Sequence, residues 1–276
     1  MLSDYLLIGH VTHDETLDGP MLGGTVSYAG ITANALGANV ALVTSANPDD
    51  TVLASIPSRI NMHLIETPQS TVFINRYVGD VRRQILRSRA ADLSWHDIPD
   101  KWRRAPIVHL APLDDEVDPQ LAFAFPDSFC ATTPQGWMRT WDAAGVVSPK
   151  PWADADRLLP QLNATILSEE DIQWDKALEA HYAALSQILV VTRAAKGCTV
   201  YQKGQPPMDI PAPVVQVVDA TGAGDVFASV FLITLQRTDS IRCAAEMATQ
   251  LASYSVTRVG LESIPTADEL TAVVSC

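Results

Sequence analysis

Short apolar runs recur along the chain at intervals that leave room for a helix between them. "YLLIGH" (5–10), "NVALVTSA" (39–46), "APIVHLAP" (105–112), "ATILSEED" (164–171) and "QILVVTRA" (187–194) each read as a strand buried on both faces. Helical spacing fills the gaps, at 27–36, 167–185 and 239–256. This alternation predicts an α/β fold with a mostly parallel sheet. Residues 70–92 depart from it. They alternate apolar and polar positions on either side of Gly79-Asp80, which predicts a hairpin set apart from the main sheet. With no internal repeat and no linker, the chain reads as one domain spanning 1–276 with a small β appendage.

Composition narrows the function classes. A net charge of −13 argues against nucleic acid or an anionic membrane as the partner, so an anionic ligand would need a local arrangement to hold it. Hydrophobic residues make up 47% of the chain, yet no apolar run reaches the ~18 residues of a membrane helix. Cys130, Cys198, Cys243 and Cys276 are scattered without metal-binding spacing, and the start lacks a basic, apolar leader; a cytoplasmic protein with reduced thiols is expected. Five arginines fall within 76–89 and could reach an anion, although an exposed hairpin made soluble by charge explains most of them.

The chemistry concentrates in "VVDATGAGDVFASVFL" (217–232), which reads as a strand running into a helix. A helix N-terminus leaves N–H groups unpaired and attracts anions, and Gly222 and Gly224 let the backbone approach a phosphate closely. Asp225 would repel that anion unless it takes a proton from a hydroxyl while the amides stabilise the phosphoryl group. On spacing alone, the aspartate could equally be a helix cap.

"DATGAGDVF" resembles the C-terminal signature of the ribokinase-like (PfkB) carbohydrate kinases. "GGTVSYAGITANALG" (23–37), "GHVTHD" (9–14), "VTRAAKG" (191–197) and "LSEED" (167–171) are similar, in order and spacing, to that family's other motifs. The resemblance implies a three-layer αβα sandwich with a β-hairpin lid formed approximately by 10–22 and 70–92. It implies an ATP-dependent kinase, with Mg²⁺, that phosphorylates a hydroxyl of a small sugar or cyclitol. A nucleoside kinase of the same fold, or a non-catalytic sugar or nucleotide sensor, is the alternative. Asp225 would be the base, and Gly222, Ala223 and Gly224 the anion hole. Asp14, Gly23 and Gly24 would hold the substrate, and Tyr28, where many members have asparagine, could stack on it. Thr192, Ala194 and Gly197 would contact nucleotide phosphates; Asp219 and Thr221 would complete that side and order the turn. Asp171, one methylene shorter than the family's glutamate, would hold magnesium through water. The outer edge of the lid would offer a surface for a homodimer.

Overall fold

The computed structural model describes residues 3–16, 19–78 and 81–273. The chain opens with β1 (Tyr5–Ile8), β2 (Thr12–Thr16) and β3 (Gly19–Gly23), then α1 (Thr25–Ala35), β4 (Val40–Ala46) and β5 (Asn61–Glu66). β6 (Thr71–Val78), β7 (Val81–Ser88), β8 (Ile107–Leu110), β9 (Phe129–Thr132), β10 (Arg139–Trp141) and β11 (Val147–Pro149) follow. Helices and strands then alternate through α2 (Ala155–Leu158), β12 (Ala164–Ser168), α3 (Lys176–Leu185), β13 (Ile188–Thr192), β14 (Cys198–Gln202) and β15 (Met208–Ile210). Three helices close the chain: α4 (Ala223–Thr238), α5 (Ile241–Ser255) and α6 (Ala267–Val273).

Nine strands form the central sheet in the order β15-β14-β13-β12-β9-β8-β1-β4-β5. It is parallel from β5 to β13, and only β14 and β15 run antiparallel. Period-2 alternation sends its side chains into two cores. Tyr5, Leu7, Val40, Leu42 and Val190 join one core with residues of α1, α4 and α5, whereas Leu6, Ile8, Ala41, Val43, Leu189 and Val191 join another with residues of α2 and α3. Apolar runs without polar alternation are what a sheet covered on both faces requires. The three-layer αβα sandwich expected from the sequence is the fold observed.

A second sheet, β3-β2-β6-β7, stands apart from the first. Its strands fall in or beside the segments 10–22 and 70–92, and the β2–β3 pair joins the β6–β7 hairpin along a parallel β2–β6 pairing. The expected Gly79-Asp80 turn lies outside the described residues. The segment 134–152, without an assigned role at the sequence level, supplies the ribbon β10-β11. That ribbon docks on β7: Leu86 N–H donates to the Gly145 carbonyl (2.8 Å), and Ile85 bridges Val146. Trp141 and Val147 pack there on a small core of Phe73, Leu86 and Leu113.

Three expectations change. The helix expected over 167–185 starts only at Lys176, where Asp175 accepts from the Ala177 and Leu178 N–H groups; Gln173 and Trp174 before it sit at positive φ. No strand precedes α4. Pro211 and Pro213 remove donors, and the Val218 and Asp219 N–H groups turn to the Val256 carbonyl instead of a neighbouring strand. Cys130 and Cys198 are free and buried, as expected, but Cys243 is disulfide-bonded. Among the described residues no helix is long and apolar enough to cross a membrane.

Candidate active site

Gly222 is the N-cap of α4 and takes a left-handed conformation (φ 78°) that turns the irregular 211–221 segment into the helix. Its glycine is required twice over, since a Cβ there would lie 2.3 Å from the Tyr28 ring. Gly224 serves differently: a Cβ would meet nothing within 4 Å, so the first turn of α4 is open on the side next to Asp225. Asp225 is half-buried, the one acidic residue in that turn. Burial, and secondarily the Asp225 charge, holds the Tyr5 hydroxyl well above its usual range.

Asp14 lies on β2, in the second sheet. Its carboxylate accepts from the Thr12 hydroxyl (3.1 Å) and the Asn75 amide (3.2 Å), and a Cβ on Gly23 would lie 2.6 Å from its Oδ1. Gln84 donates in turn to Asn75 Oδ1 (3.1 Å), across the β6–β7 pairing. The structure thus places Asp14 beside Gly23 and adds Asn75 and Gln84. Their signal in the sequence was two amides on opposed, alternating strands, at positions that face each other only once the hairpin register is set. Gly23 and Gly24 lead directly into α1, and α1 packs on α4. Tyr28 carries that contact. At 2% exposure its ring is committed to Gly222, which gives it a supporting place beneath the turn.

Thr192 ends β13, paired with Ser168 at the end of β12. Beyond it the chain makes a tight loop, with Arg193 N–H bonded to the Gly197 carbonyl (2.7 Å). Ala194 has φ 48° and Gly197 φ 92°, so the alanine occupies left-handed backbone where glycine is unstrained. Arg193 points away from the loop, to Glu169, Glu179 and the Thr199 hydroxyl. Burial alone would raise Glu179, but hydrogen bonds from Arg193, Lys176 and Tyr201 carry it down to about 2. Asp171 accepts both the N–H and the hydroxyl of Ser168 on Oδ2. Asp219 accepts from Thr221 N–H (2.9 Å) and Gly260 N–H (3.4 Å), tying the start of α4 to the loop after α5. Val217 and Val218, just before Asp219, and Val259, just before Gly260, are exposed, as is Val214; sequence reading passed over these apolar side chains.

Residues 147–267 match the pfkB family carbohydrate kinase profile. Among curated proteins the chain is 34% identical over 89 residues to the Bifunctional protein HldE of Caulobacter vibrioides, covering 32% of this chain and 18% of that one. Against the Bifunctional protein HldE of Photobacterium profundum it is 32% identical over 106 residues, 38% of this chain and 22% of that one. The chain therefore spans about a fifth of the length of the curated relatives it matches. Solved structures agree over nearly the whole fold. One is a pyrophosphate-dependent kinase in the ribokinase family complexed with a pyrophosphate analog and myo-inositol, with a TM-score of 0.82 and 21% identity over 97% of this chain and 99% of that one. Another is Arabidopsis thaliana ribokinase complexed with ribose and ATP, with a TM-score of 0.78 and 16% identity over all of both chains. The structural likenesses show that the chain has the fold of these kinases.

Proposed function

We propose that this chain, a ribokinase fold carrying a pfkB-family carbohydrate kinase domain, transfers the γ-phosphoryl group of ATP to a hydroxyl of a small sugar or cyclitol. The observation that carries the reading is the joint at Tyr28 and Gly222. It brings the helix that begins beside Asp14 and Gly23 against the anion-attracting turn that carries Asp225.

In this reading Asp14, Asn75 and Gln84 hold acceptor hydroxyls, because a carboxylate and two amides offer both donors and acceptors. Asp225 removes the proton of the reacting hydroxyl; the hydroxyl oxygen bonds to the γ-phosphorus, the bond to the bridging oxygen breaks, and ADP leaves. The turn at Gly222, Ala223 and Gly224 receives the charge that develops on the transferring group. Thr192, Ala194 and Gly197 line the donor phosphates, with Thr221 held in place by Asp219. Asp171 has one oxygen on Ser168 and the other for a water of Mg²⁺, whose preference for oxygen ligands and retained waters fits this donor; the ion would neutralise phosphate charge. The exposed valines favour a donor with an apolar, planar part, and so a nucleotide. The likeness to a pyrophosphate-dependent kinase supports pyrophosphate as a second reading of the donor.

The test offers ATP or pyrophosphate against a panel of sugars, cyclitols and nucleosides and follows donor consumption. Turnover of ATP with a polyol is expected. Turnover with pyrophosphate alone overturns the donor, turnover only with nucleosides overturns the acceptor, and ligand binding without turnover makes the chain a sensor.

A further inference from the structure

The passage from the central sheet to the lid is built around a histidine that takes no part in the chemistry above. The chain crosses between the two sheets at 9–11, at Gly24, at 70–71 and at 89–91. His10 is fully buried in the first crossing and touches the other three. Its carbonyl lies 2.5 Å from where a Cβ on Gly24 would be. Nδ1 meets the Thr71 hydroxyl at 2.7 Å, and Nε2 meets the Ala91 carbonyl at 2.8 Å. The same Thr71 hydroxyl accepts from Ala90 N–H (3.0 Å), so one residue joins the chain going into β6 with the chain coming out of β7. On the central-sheet side, Ser45 at the end of β4 meets Nε2 (2.8 Å), and Glu116 accepts from His10 N–H (2.9 Å).

The partners define the protonation of the ring. Nε2 faces a carbonyl, and Nδ1 faces the Asp114 carboxylate (Oδ1, 3.0 Å), neither of which can donate. Thr71 gives its own hydrogen to Asp114 Oδ2 (3.2 Å) and so receives one from Nδ1. Hydrogen on both nitrogens, an imidazolium, suits these partners. Burial alone would lower its pKa, but Glu116 and Asp114 raise it above the ordinary value. Arg89 adds the second cation, near Asp114 and paired with Asp92. His10, Asp114 and Glu116 are also residue types that bind metals. However, three backbone N–H groups already occupy the Glu116 oxygens, and the cations His10 and Arg89 balance the two buried carboxylates. The other groups bonded to the ring, the Ser45 and Thr71 hydroxyls and the Ala91 carbonyl, carry no charge.

We propose that the His10 imidazolium is a positioning residue: it pins the crossings between the sheets at one point and so sets Asp14, on the next strand, against the turn that carries Asp225. A buried charged pivot resists both rotation and hydration, since separating its partners leaves an unpaired charge in the core. Asp14 as an acceptor contact rests on the proposed function; the pivot itself does not.

The test compares Thr71→Val, which keeps the shape and removes the hydroxyl, with Thr71→Ser, which keeps the hydroxyl. Amide hydrogen exchange in β6 and β7 is expected to rise about tenfold in Thr71→Val, with β12 and β13 changing less than about twofold, and Thr71→Ser to stay near the parent. In the same variant the acceptor KM should rise about tenfold while kcat moves less than about threefold. Exchange in the unmutated protein, corrected for its intrinsic pH dependence, should also increase in the lid as pH rises and the imidazolium is lost. A uniform rise in exchange across both sheets, or an unchanged lid, overturns the pivot. Lid exchange that responds to zinc or to a chelator instead of to pH overturns the proton as its charge. Absence of turnover in the parent would remove the proposed function and leave the exchange result to decide the pivot.

Discussion

Asp225 carries the sharpest prediction at the scale of single residues. Asp225→Asn retains the size of the side chain at the first turn of α4, so folding should persist with a stability change within about 1 kcal/mol. Turnover should fall about 10²- to 10⁴-fold, as for loss of a general base, while donor and acceptor affinities change far less. A helix cap alone predicts the reverse: small kinetic effects and a loss of stability. Ala194 offers a test with the opposite sign. Its φ of 48° costs an alanine about 1–2 kcal/mol, partly offset by the greater freedom of a glycine in the unfolded chain. Ala194→Gly should therefore raise stability by about 0.5–1 kcal/mol in denaturant melts. A loss of stability would mean that the methyl group makes contacts worth more than the strain.

Between elements, the ribbon β10-β11 covers part of the edge of β7. β7 would otherwise present its outer edge to solvent, and the expected homodimer would pair there. Instead Leu86 and Ile85 are engaged by Gly145 and Val146 of the same chain. Gly145 makes this contact possible: its φ is 79°, and a Cβ would lie 2.2 Å from the Leu86 carbonyl. Gly145→Val should cost on the order of 2 kcal/mol and undock the ribbon, exposing the edge. Sedimentation should then show self-association in the variant and a monomer in the parent. A parent that dimerises with the ribbon in place would move the interface to another surface of the lid.

Across the whole molecule, buried ionisable groups set a window of pH stability. Burial, reinforced by the Asp114 charge, pushes Glu116 up to about 7, and His10 lies above its ordinary value. Both bind protons more tightly when folded, so their contribution is complete below their unfolded pKa values and fades as pH rises through the folded ones. Asp114, Glu179 and Glu269 are shifted downward despite burial, by His10, Arg193 and Arg258 respectively. Their contribution is complete above the ordinary carboxylate range and is lost as pH falls towards about 2. Thermal melts should therefore peak near about pH 5, where the depressed carboxylates are ionised and Glu116 still holds its proton, and decline on both sides. Asp114→Asn should flatten the alkaline decline, because it removes the anion that holds the proton on His10. An unchanged alkaline slope in that variant would detach the decline from the pivot.

Local pattern was enough to determine the layers of this protein and the centre of its candidate site. Apolar runs without alternation belong to strands covered on both faces, and Gly222-Ala223-Gly224-Asp225 is contiguous, so its meaning does not depend on what packs beside it. What only the tertiary structure decided are the relations between distant segments. Tyr28 reads as a ring free to stack on a ligand until α1 meets α4 and its ring is found against Gly222. His10 reads as a surface or structural histidine because its partners, Ser45, Thr71, Ala91, Asp114 and Glu116, lie 35 to 106 positions away. Asn75 and Gln84 become a pair only through the β6–β7 register, and the ribbon joins β7 through one carbonyl at Gly145. A one-dimensional pattern records which face of an element is buried. The partner that buries it, and hence the charge and hydrogen bonds found there, is a property of the assembled fold.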